Sequence, residues 1–183
     1  MQLDELRELL RGYQPPDPAE AAFVARMVEL SRAGGAWQRS HFSPGHFTAS
    51  AFVLSPDHRE LVLIHHKKLG IWVQPGGHLE ASDADVQAAA RREVLEEVGL
   101  ADLEPFAPGS SPLFDVDIHV IPARKNEPEH FHHDLRFMIE ADPGEPLVIS
   151  NESKDLAWVD VAHVTALNPE ESMARMVRKT LPR

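Results

Sequence analysis

Cysteine is absent from the 183-residue sequence. Disulfide bonds, thiolate nucleophiles and cysteine-ligated zinc sites are therefore excluded. A chain without cysteine fits a reducing compartment, and we expect a cytoplasmic location. Long apolar runs are absent as well, because none approaches the roughly 18 residues that a membrane-spanning helix needs. We therefore expect no membrane partner.

Basic residues are scarce relative to acidic ones. The chain has 18 lysines and arginines against 29 aspartates and glutamates, which gives a formal net charge of −11. Such a surface repels nucleic-acid backbones, so a nucleic-acid polymer is not an expected partner. An acidic protein that handles a phosphorylated small molecule needs metal cations or a local basic patch.

The remaining composition is ordinary for a globular protein, with 43% hydrophobic and 26% charged residues. Leucine spacing predicts a first helix that ends before Pro15, and Asp17 is placed to cap a second helix. We therefore predict an N-terminal helical extension and linker at residues 1–44. The main domain is predicted at residues 45–183.

Strands and helices alternate in the predicted main domain. Apolar, β-prone segments predict strands, and helical periodicity predicts a helix at about residues 84–98 and another after Asn168. The combination of hairpins and intervening helices favours an α/β fold with a mixed sheet that has helices on its faces. The predicted strands are residues 46–54, 61–64, 71–73, 113–121, 131–139 and 156–159.

An acidic helix face is the most informative feature of the chain. Glu93 and Glu97 are four residues apart and share one face, with Glu96 beside them. Arg92 has the spacing for an ion pair with Glu96. Although acidic faces are usually solvated surface, oxygen ligands of this kind suit Mg²⁺ or Mn²⁺ rather than Zn²⁺.

Two glycines, Gly76 and Gly77, precede this helix. Glycine lets the backbone approach a ligand closely, and a helix N-terminus favours phosphate groups. Because this glycine loop comes at a fixed distance before the three carboxylates, the acidic helix face is less well explained as solvated surface alone.

The stretch from Gly77 to Leu100 resembles the Nudix box, G-x5-E-x7-R-E-U-x-E-E-x-G-U, in which U is aliphatic. Gly77 matches the first glycine, and the run that begins at Arg92 matches the second half without a gap. Two departures concern Asp83, which replaces the first glutamate and is separated from Arg92 by eight residues rather than seven. A one-residue insertion before the helix explains the spacing and puts the role of Asp83 in doubt. The resemblance extends over about residues 45–183 and implies a Nudix-type α/β/α sandwich.

The resemblance also implies a metal site. Glu93, Glu96 and Glu97 would bind Mg²⁺, or Mn²⁺ in its place, with the Gly77 carbonyl as a further ligand. Arg92 would orient a glutamate rather than contact the substrate.

The general base and the substrate contacts are less defined by the resemblance. Glu96 or Glu97 is one candidate base and Glu152 is another, with an exposed loop residue as the alternative interpretation of Glu152. Gly76 and His78 are candidate substrate contacts, and a partly exposed loop histidine is the alternative for His78.

Histidine is abundant, with 11 in the chain. His130, His132 and His133 lie together at a predicted strand entry, and alternation places His130 and His132 on one face. Such a group is able to bind a transition metal. We expect surface histidines here, because no partner residue follows from the sequence.

The resemblance implies an enzyme that breaks a diphosphate linkage with water. The first expectation is a nucleoside diphosphate linked to another moiety, of the NDP-sugar or ADP-ribose type. The alternatives are a pyrophosphohydrolase of ordinary or oxidised nucleoside triphosphates, and a nucleotide-binding regulator without catalysis. The expected partner is a small-molecule nucleotide. The N-terminal helices either cover the substrate cleft or form the interface of a homodimer, which the resemblance favours.

Overall fold

In a computed structural model of the protein, residues 3–106 and 111–180 are described. No helix within these ranges is long and apolar enough to cross a membrane. The helices are α1 (Leu3–Gly12), α2 (Pro18–Leu30), α3 (Val86–Val98), α4 (Val164–Leu167) and α5 (Glu171–Thr180), with a 3₁₀ helix at Val161–His163. The strands are β1 (Gly45–Leu54), β2 (Glu60–His66), β3 (Trp72–Val73), β4 (Gly76–His78), β5 (Glu104–Phe106), β6 (Leu113–Ile121), β7 (His130–Glu140) and β8 (Ser153–Asp160).

The described residues divide into two compact units. The first unit contains residues 3–50, 77–90 and 111–137, and the second contains residues 51–76, 91–106 and 138–180.

The N-terminal helices belong to the first unit. The Asp17 carboxylate accepts hydrogen bonds from the N–H groups of Ala19 and Glu20, both at 2.9 Å, and so begins α2 as predicted. Glu20 is fully buried and accepts a hydrogen bond from the hydroxyl of Tyr13. The same hydroxyl lies 3.4 Å from the carbonyl oxygen of Phe114 in β6. These contacts fix the helical segment against the sheet of its own unit.

The sheet of the first unit combines parallel and antiparallel neighbours. The Phe131 N–H donates to the Pro44 carbonyl, and the Thr48 and Ser50 hydroxyls donate to Asp134 at 2.9 and 2.7 Å. The residue numbers on β1 and β7 rise together, so these strands run parallel. Strand β6 pairs antiparallel with β7, from Leu113 opposite Phe137 to Ile121 opposite His130.

A buried charge network lies between β6 and β7 of the first unit. Arg136 is 3% exposed, and its guanidinium contacts Asp134 at 2.9 Å, Asp115 at 3.1 Å and Asp117 at 3.2 Å. Burial tends to lower the pKa of Arg136, but the three carboxylates hold it above its ordinary value. The charges are therefore retained in the interior.

Strand β2 is the central strand of the second unit. It pairs antiparallel with β8 from Glu60 opposite Asp160 onward, with β3 at Ile64 and Val73, and with β1 at Leu54 and Leu61. Its residues 61–64 are almost fully buried. The predicted hairpin of β1 and β2 is therefore confirmed.

The α/β class with a mixed sheet and preceding N-terminal helices is confirmed. Strand β6 has the predicted bounds, and β7, β2 and β8 are longer than predicted by two, three and four residues. Three short elements were not predicted from the sequence: β4 and β5, with three residues each, and α4, with four. Segments this short carry no measurable periodicity. The boundary between residues 44 and 45 stays a prediction.

Candidate active site

The glutamates that the motif singles out lie on helix α3. The Asp85 carboxylate accepts a hydrogen bond from the Ala88 N–H at 2.7 Å and caps the start of the helix. An alanine-rich first half favours the helix, and Gly99, with φ of +80°, follows its last residue. This local sequence fixes Glu93 and Glu97 on one face.

Arg92 contacts two of the three glutamates. Its Nη1 atom lies 2.9 Å from Oε1 of Glu93 and 3.3 Å from Oε2 of Glu96. The Arg92 and Glu93 side chains are 19% and 13% exposed, whereas the Glu96 side chain is 56% exposed. The arginine therefore contacts a largely buried and an exposed carboxylate on the same face, and its orienting role stays a prediction.

Glu97 occupies the least polar environment of the three. It is 9% exposed, and its Oε2 accepts a hydrogen bond from the Gly76 N–H at 2.9 Å. Burial raises the pKa of Glu97 to about 7, and the negative charges of Glu93, Glu152 and Glu96 add to the rise. The Gly76 hydrogen bond lowers this pKa in part. A cation at this position would relieve both the burial and the repulsion.

Glu152 is exposed in the loop that precedes β8. Its carbonyl oxygen accepts a hydrogen bond from the Lys67 N–H at 3.1 Å, and its own N–H donates to the Ser150 hydroxyl at 3.2 Å. These backbone contacts fix the loop within the second unit. The carboxylate is near enough to Glu97 to affect its pKa.

The donor chemistry of these residues fits a hard divalent cation. All three side chains offer carboxylate oxygens, which Mg²⁺ prefers. Within residues 3–106 and 111–180, however, they do not form a cluster whose ligand atoms lie within 4.8 Å of one another. Since Glu93, Glu96 and Glu97 lie within about one turn of helix, side-chain rotation alone would bring them to a shared ion.

Gly77, His78 and Asp83 belong to the first unit. The Asp83 carboxylate accepts a hydrogen bond from the Glu80 N–H at 2.7 Å, and the Asp83 N–H donates to the Glu80 carbonyl at 3.2 Å. Asp83 is 8% exposed, so it closes a turn before α3. The segment just before α3 is therefore an ordered turn, and the one-residue insertion stays a prediction.

A histidine cluster forms the second group of titratable side chains. The rings of His46 and His130 stack with centroids 5.0 Å apart, and His132 lies 4.8 Å from His46 and 5.4 Å from His130. The ring of His78 is 5.1 Å from His46 and 5.2 Å from His132. These four residues are called the histidine cluster below.

The expectation of surface histidines was wrong. His130 and His133 are 4% and 1% exposed, because β7 is covered on both faces at this position. Burial lowers the pKa of His46 and of His78 to about 4 and that of His132 to about 2. The rings of His46, His78 and His132 are therefore neutral at physiological pH.

Sequence reasoning missed His46 because two of its partners, His130 and His132, lie more than 80 positions away along the chain. Gly45, the residue before His46, is required for the close approach of β1 to β7. A Cβ atom at this glycine would lie 1.9 Å from the Phe131 carbonyl oxygen, so only glycine lets β1 approach β7 this closely. That approach brings His46 beside His130.

An open pocket of about 810 Å³ lies next to the histidine cluster in the first unit. Trp37, Phe42 and Arg39 are among its lining residues. The Phe42 ring contacts the ring of His130 edge-on at 5.0 Å, and Arg39 pairs with Glu127 at 2.9 Å. The pocket therefore combines aromatic surface with a charged pair at its rim.

Known proteins resemble this chain over most of its length. A model of the NUDIX domain matches residues 44–180. A Lactococcus lactis subsp. cremoris protein named "Probable DHNTP pyrophosphohydrolase" is 30% identical over 125 residues, which covers 67% of this chain and 70% of that protein.

Two solved structures are also similar. The C. elegans Ap4A hydrolase in a binary complex has a TM-score of 0.57 at 16% identity, with 73% of this chain and 93% of that chain covered. The E. coli dihydroneopterin triphosphate pyrophosphohydrolase has a TM-score of 0.55 at 16% identity, with 73% and 92% covered. At these identities the two structures show a shared fold alone.

Proposed function

Because this chain belongs to the Nudix family, we propose that it hydrolyses a diphosphate linkage in a small nucleotide-type substrate with Mg²⁺ as its cation. Membership makes the chain a Nudix pyrophosphohydrolase, as the motif predicted. One observation carries the proposal for the site: the buried Glu97 lies among the like charges of Glu93, Glu96 and Glu152. That environment is unfavourable for a carboxylate unless a cation binds there.

The proposed ligands are Glu93, Glu96 and Glu97, with the Gly77 carbonyl as a further donor and Mn²⁺ as the alternative ion. When bound, Mg²⁺ neutralises the charge that develops on phosphoryl oxygens and lowers the pKa of a bound water. Arg92 is a positioning residue, since it holds Glu93 and Glu96 at 2.9 and 3.3 Å.

Proton transfer needs a carboxylate that accepts the proton of the attacking water. Glu96, Glu97 and Glu152 are the proposed candidates. The Gly76 N–H orients the Glu97 carboxylate, and a cation bound beside Glu97 would lower its pKa from the value of about 7 that burial gives it. Gly76 and His78 stay proposed substrate contacts.

The substrate class has two candidates. The first is a nucleoside diphosphate linked to another moiety, of the NDP-sugar or ADP-ribose type. The second is a triphosphate, ordinary or oxidised, and the relative named as a DHNTP pyrophosphohydrolase favours it. We also propose a homodimer, which light scattering of the purified chain would test.

The deciding experiment incubates purified protein with Mg²⁺ and a panel of NDP-sugars, ADP-ribose, dinucleotides and triphosphates. Release of pyrophosphate marks a triphosphate substrate, and release of two monophosphate esters marks a linked diphosphate. Glu97→Gln and EDTA treatment are expected to lower turnover at least 100-fold. Glu170→Gln, at an exposed position before α5, is the matched control and should retain full turnover.

Two results would contradict the proposal. Turnover that persists in EDTA would exclude the metal mechanism. Absence of turnover on the whole panel, together with a rise in melting temperature on nucleotide addition, would favour the nucleotide-binding regulator.

A further inference from the structure

The histidine cluster offers ligand atoms that the proposed hydrolysis does not use. One nitrogen each of His46, His130 and His132 lies within 4.8 Å of the other two. Within residues 3–106 and 111–180, this is the one group of three or more histidine or acidic side chains that are this close. His46 and His130 are 0% and 4% exposed, so the group is an interior feature rather than a solvated patch.

Hydrogen bonds already orient two of these rings. Nδ1 of His46 lies 3.3 Å from the His41 carbonyl oxygen, and Nδ1 of His130 lies 2.8 Å from the Pro128 carbonyl oxygen. A carbonyl oxygen only accepts, so each Nδ1 carries a proton and Nε2 is the nitrogen that each ring can offer to an ion. A metal-ligating histidine usually donates its second N–H to a carbonyl in this way.

The Nε2 atom of His46 supplies independent support. It is buried and has no hydrogen-bond partner among the described residues. Buried polar atoms without a partner are rare and costly, and binding an ion is one recognised way to satisfy them.

We propose that His46, His130 and His132 bind a divalent transition-metal ion of the zinc type, at a site made from different residues than the carboxylates of α3. Imidazole nitrogen suits zinc, whereas carboxylate oxygen suits magnesium. Nitrogen atoms that share a zinc ion at about 2.0–2.1 Å lie roughly 3.3 Å apart, so binding draws the rings inward.

The consequence of binding is structural. The ion ties the first residues of β1 to the start of β7, two strands that are remote in sequence. The ring of His78, in β4, lies 5.1 Å from that of His46 and 5.2 Å from that of His132, so a further imidazole lies beside the three proposed ligands.

The test uses full-length protein that carries Glu93→Gln and Glu97→Gln, which removes the two less exposed of the three α3 carboxylates. Zinc is titrated against a chromogenic chelator in excess Mg²⁺, and one zinc ion per chain is expected. His132→Asn in this background should weaken zinc binding about 100-fold. His163→Asn, at an exposed histidine of the 3₁₀ helix, is the matched control and should bind as tightly as its parent.

A second measurement is needed because His132→Asn does not necessarily fold. X-ray absorption spectroscopy of zinc-loaded protein with unaltered histidines identifies the atoms that coordinate the zinc ion. A shell of nitrogen at about 2.0–2.1 Å is expected. An oxygen-only shell, loss of binding in the Glu93 and Glu97 double variant, or unchanged affinity in a folded His132→Asn protein would each overturn the proposal.

Discussion

At the scale of single residues, the environment decides what a carboxylate can do. Glu96 and Glu97 are neighbours in the sequence, yet the Glu96 side chain is 56% exposed and Glu97 is 9% exposed. Burial raises the pKa of Glu97 to about 7. The ionised form of Glu97 therefore destabilises the metal-free fold above neutral pH, which is the usual conflict between function and stability at a site.

Glu97→Gln is expected to stabilise the metal-free protein at pH 8. The pKa of Glu97 is about 7 in the folded state against an ordinary value of 4.5, so the stability that a neutral Glu97 allows is lost as pH rises from 4.5 to 7. Glutamine does not ionise, and the gain at pH 8 should be about 2 kcal/mol, vanishing near pH 4.5. Urea unfolding in EDTA measures it.

The control for this comparison is Glu96→Gln, whose exposed side chain should leave the free energy of unfolding within about 0.5 kcal/mol of the parent. Equal free energies of unfolding for the Glu97→Gln and parent proteins at pH 8 would show that the buried Glu97 does not destabilise the metal-free fold.

At the scale of elements, the end of α3 depends on one glycine. Gly99 has φ of +80°, and a Cβ atom there would lie 2.7 Å from Cβ of Val148. Val148 is held at this place because its N–H donates to the Val98 carbonyl at 2.9 Å. Gly99 thus ends the helix and leaves room for Val148 of the same unit to pack against it.

Gly99→Ala is expected to destabilise the protein by about 2–3 kcal/mol, because it combines the cost of a left-handed residue with an overlap. Gly70→Ala is the matched comparison, since Gly70 has φ of +70° and open space around its Cβ position. Its cost should be about 1 kcal/mol. Equal unfolding free energies for the two variants would show that Val148 moves away freely.

At the scale of the whole molecule, buried neutral histidines set the response to acid. Burial is the main cause that lowers the pKa values of four histidines below the ordinary value of 6.5. They are His46, His78, His132 and His133. Each of these groups binds protons more readily in the unfolded chain than in the folded protein. Acidification therefore favours unfolding through several groups at once.

The metal-free protein is expected to lose stability as pH falls from about 6.5 toward 4. The unfolded histidines protonate near 6.5, and His46, His78 and His133 protonate near 4 in the folded state. Protonation of Glu97 raises the stability of the folded protein as pH falls from 7 to 4.5, but the loss of stability through the four histidines is larger. Urea unfolding at several pH values in EDTA measures the slope, and a flat profile between pH 6.5 and 4.5 would contradict the expectation.

The sequence by itself determined the family, the α/β class and the order of the chemical groups on α3. These features are local: helical spacing alone places Glu93 and Glu97 on one face, and the Asp17 cap lies within one turn of the backbone it serves. The Nudix resemblance rests on such local spacing, and the family model over residues 44–180 confirms it.

Only the tertiary structure decided which side chains are buried and which distant residues meet. Asp134 joins Ser50 across 84 positions, and His46 meets His130 by the same pairing of β1 with β7. Neither hydrogen bonds between remote strands nor desolvation can be derived from the spacing of nearby residues, since both depend on what the folded chain brings alongside. The sequence therefore predicted the carboxylate face, whereas the burial of Glu97 and the histidine cluster came from the fold.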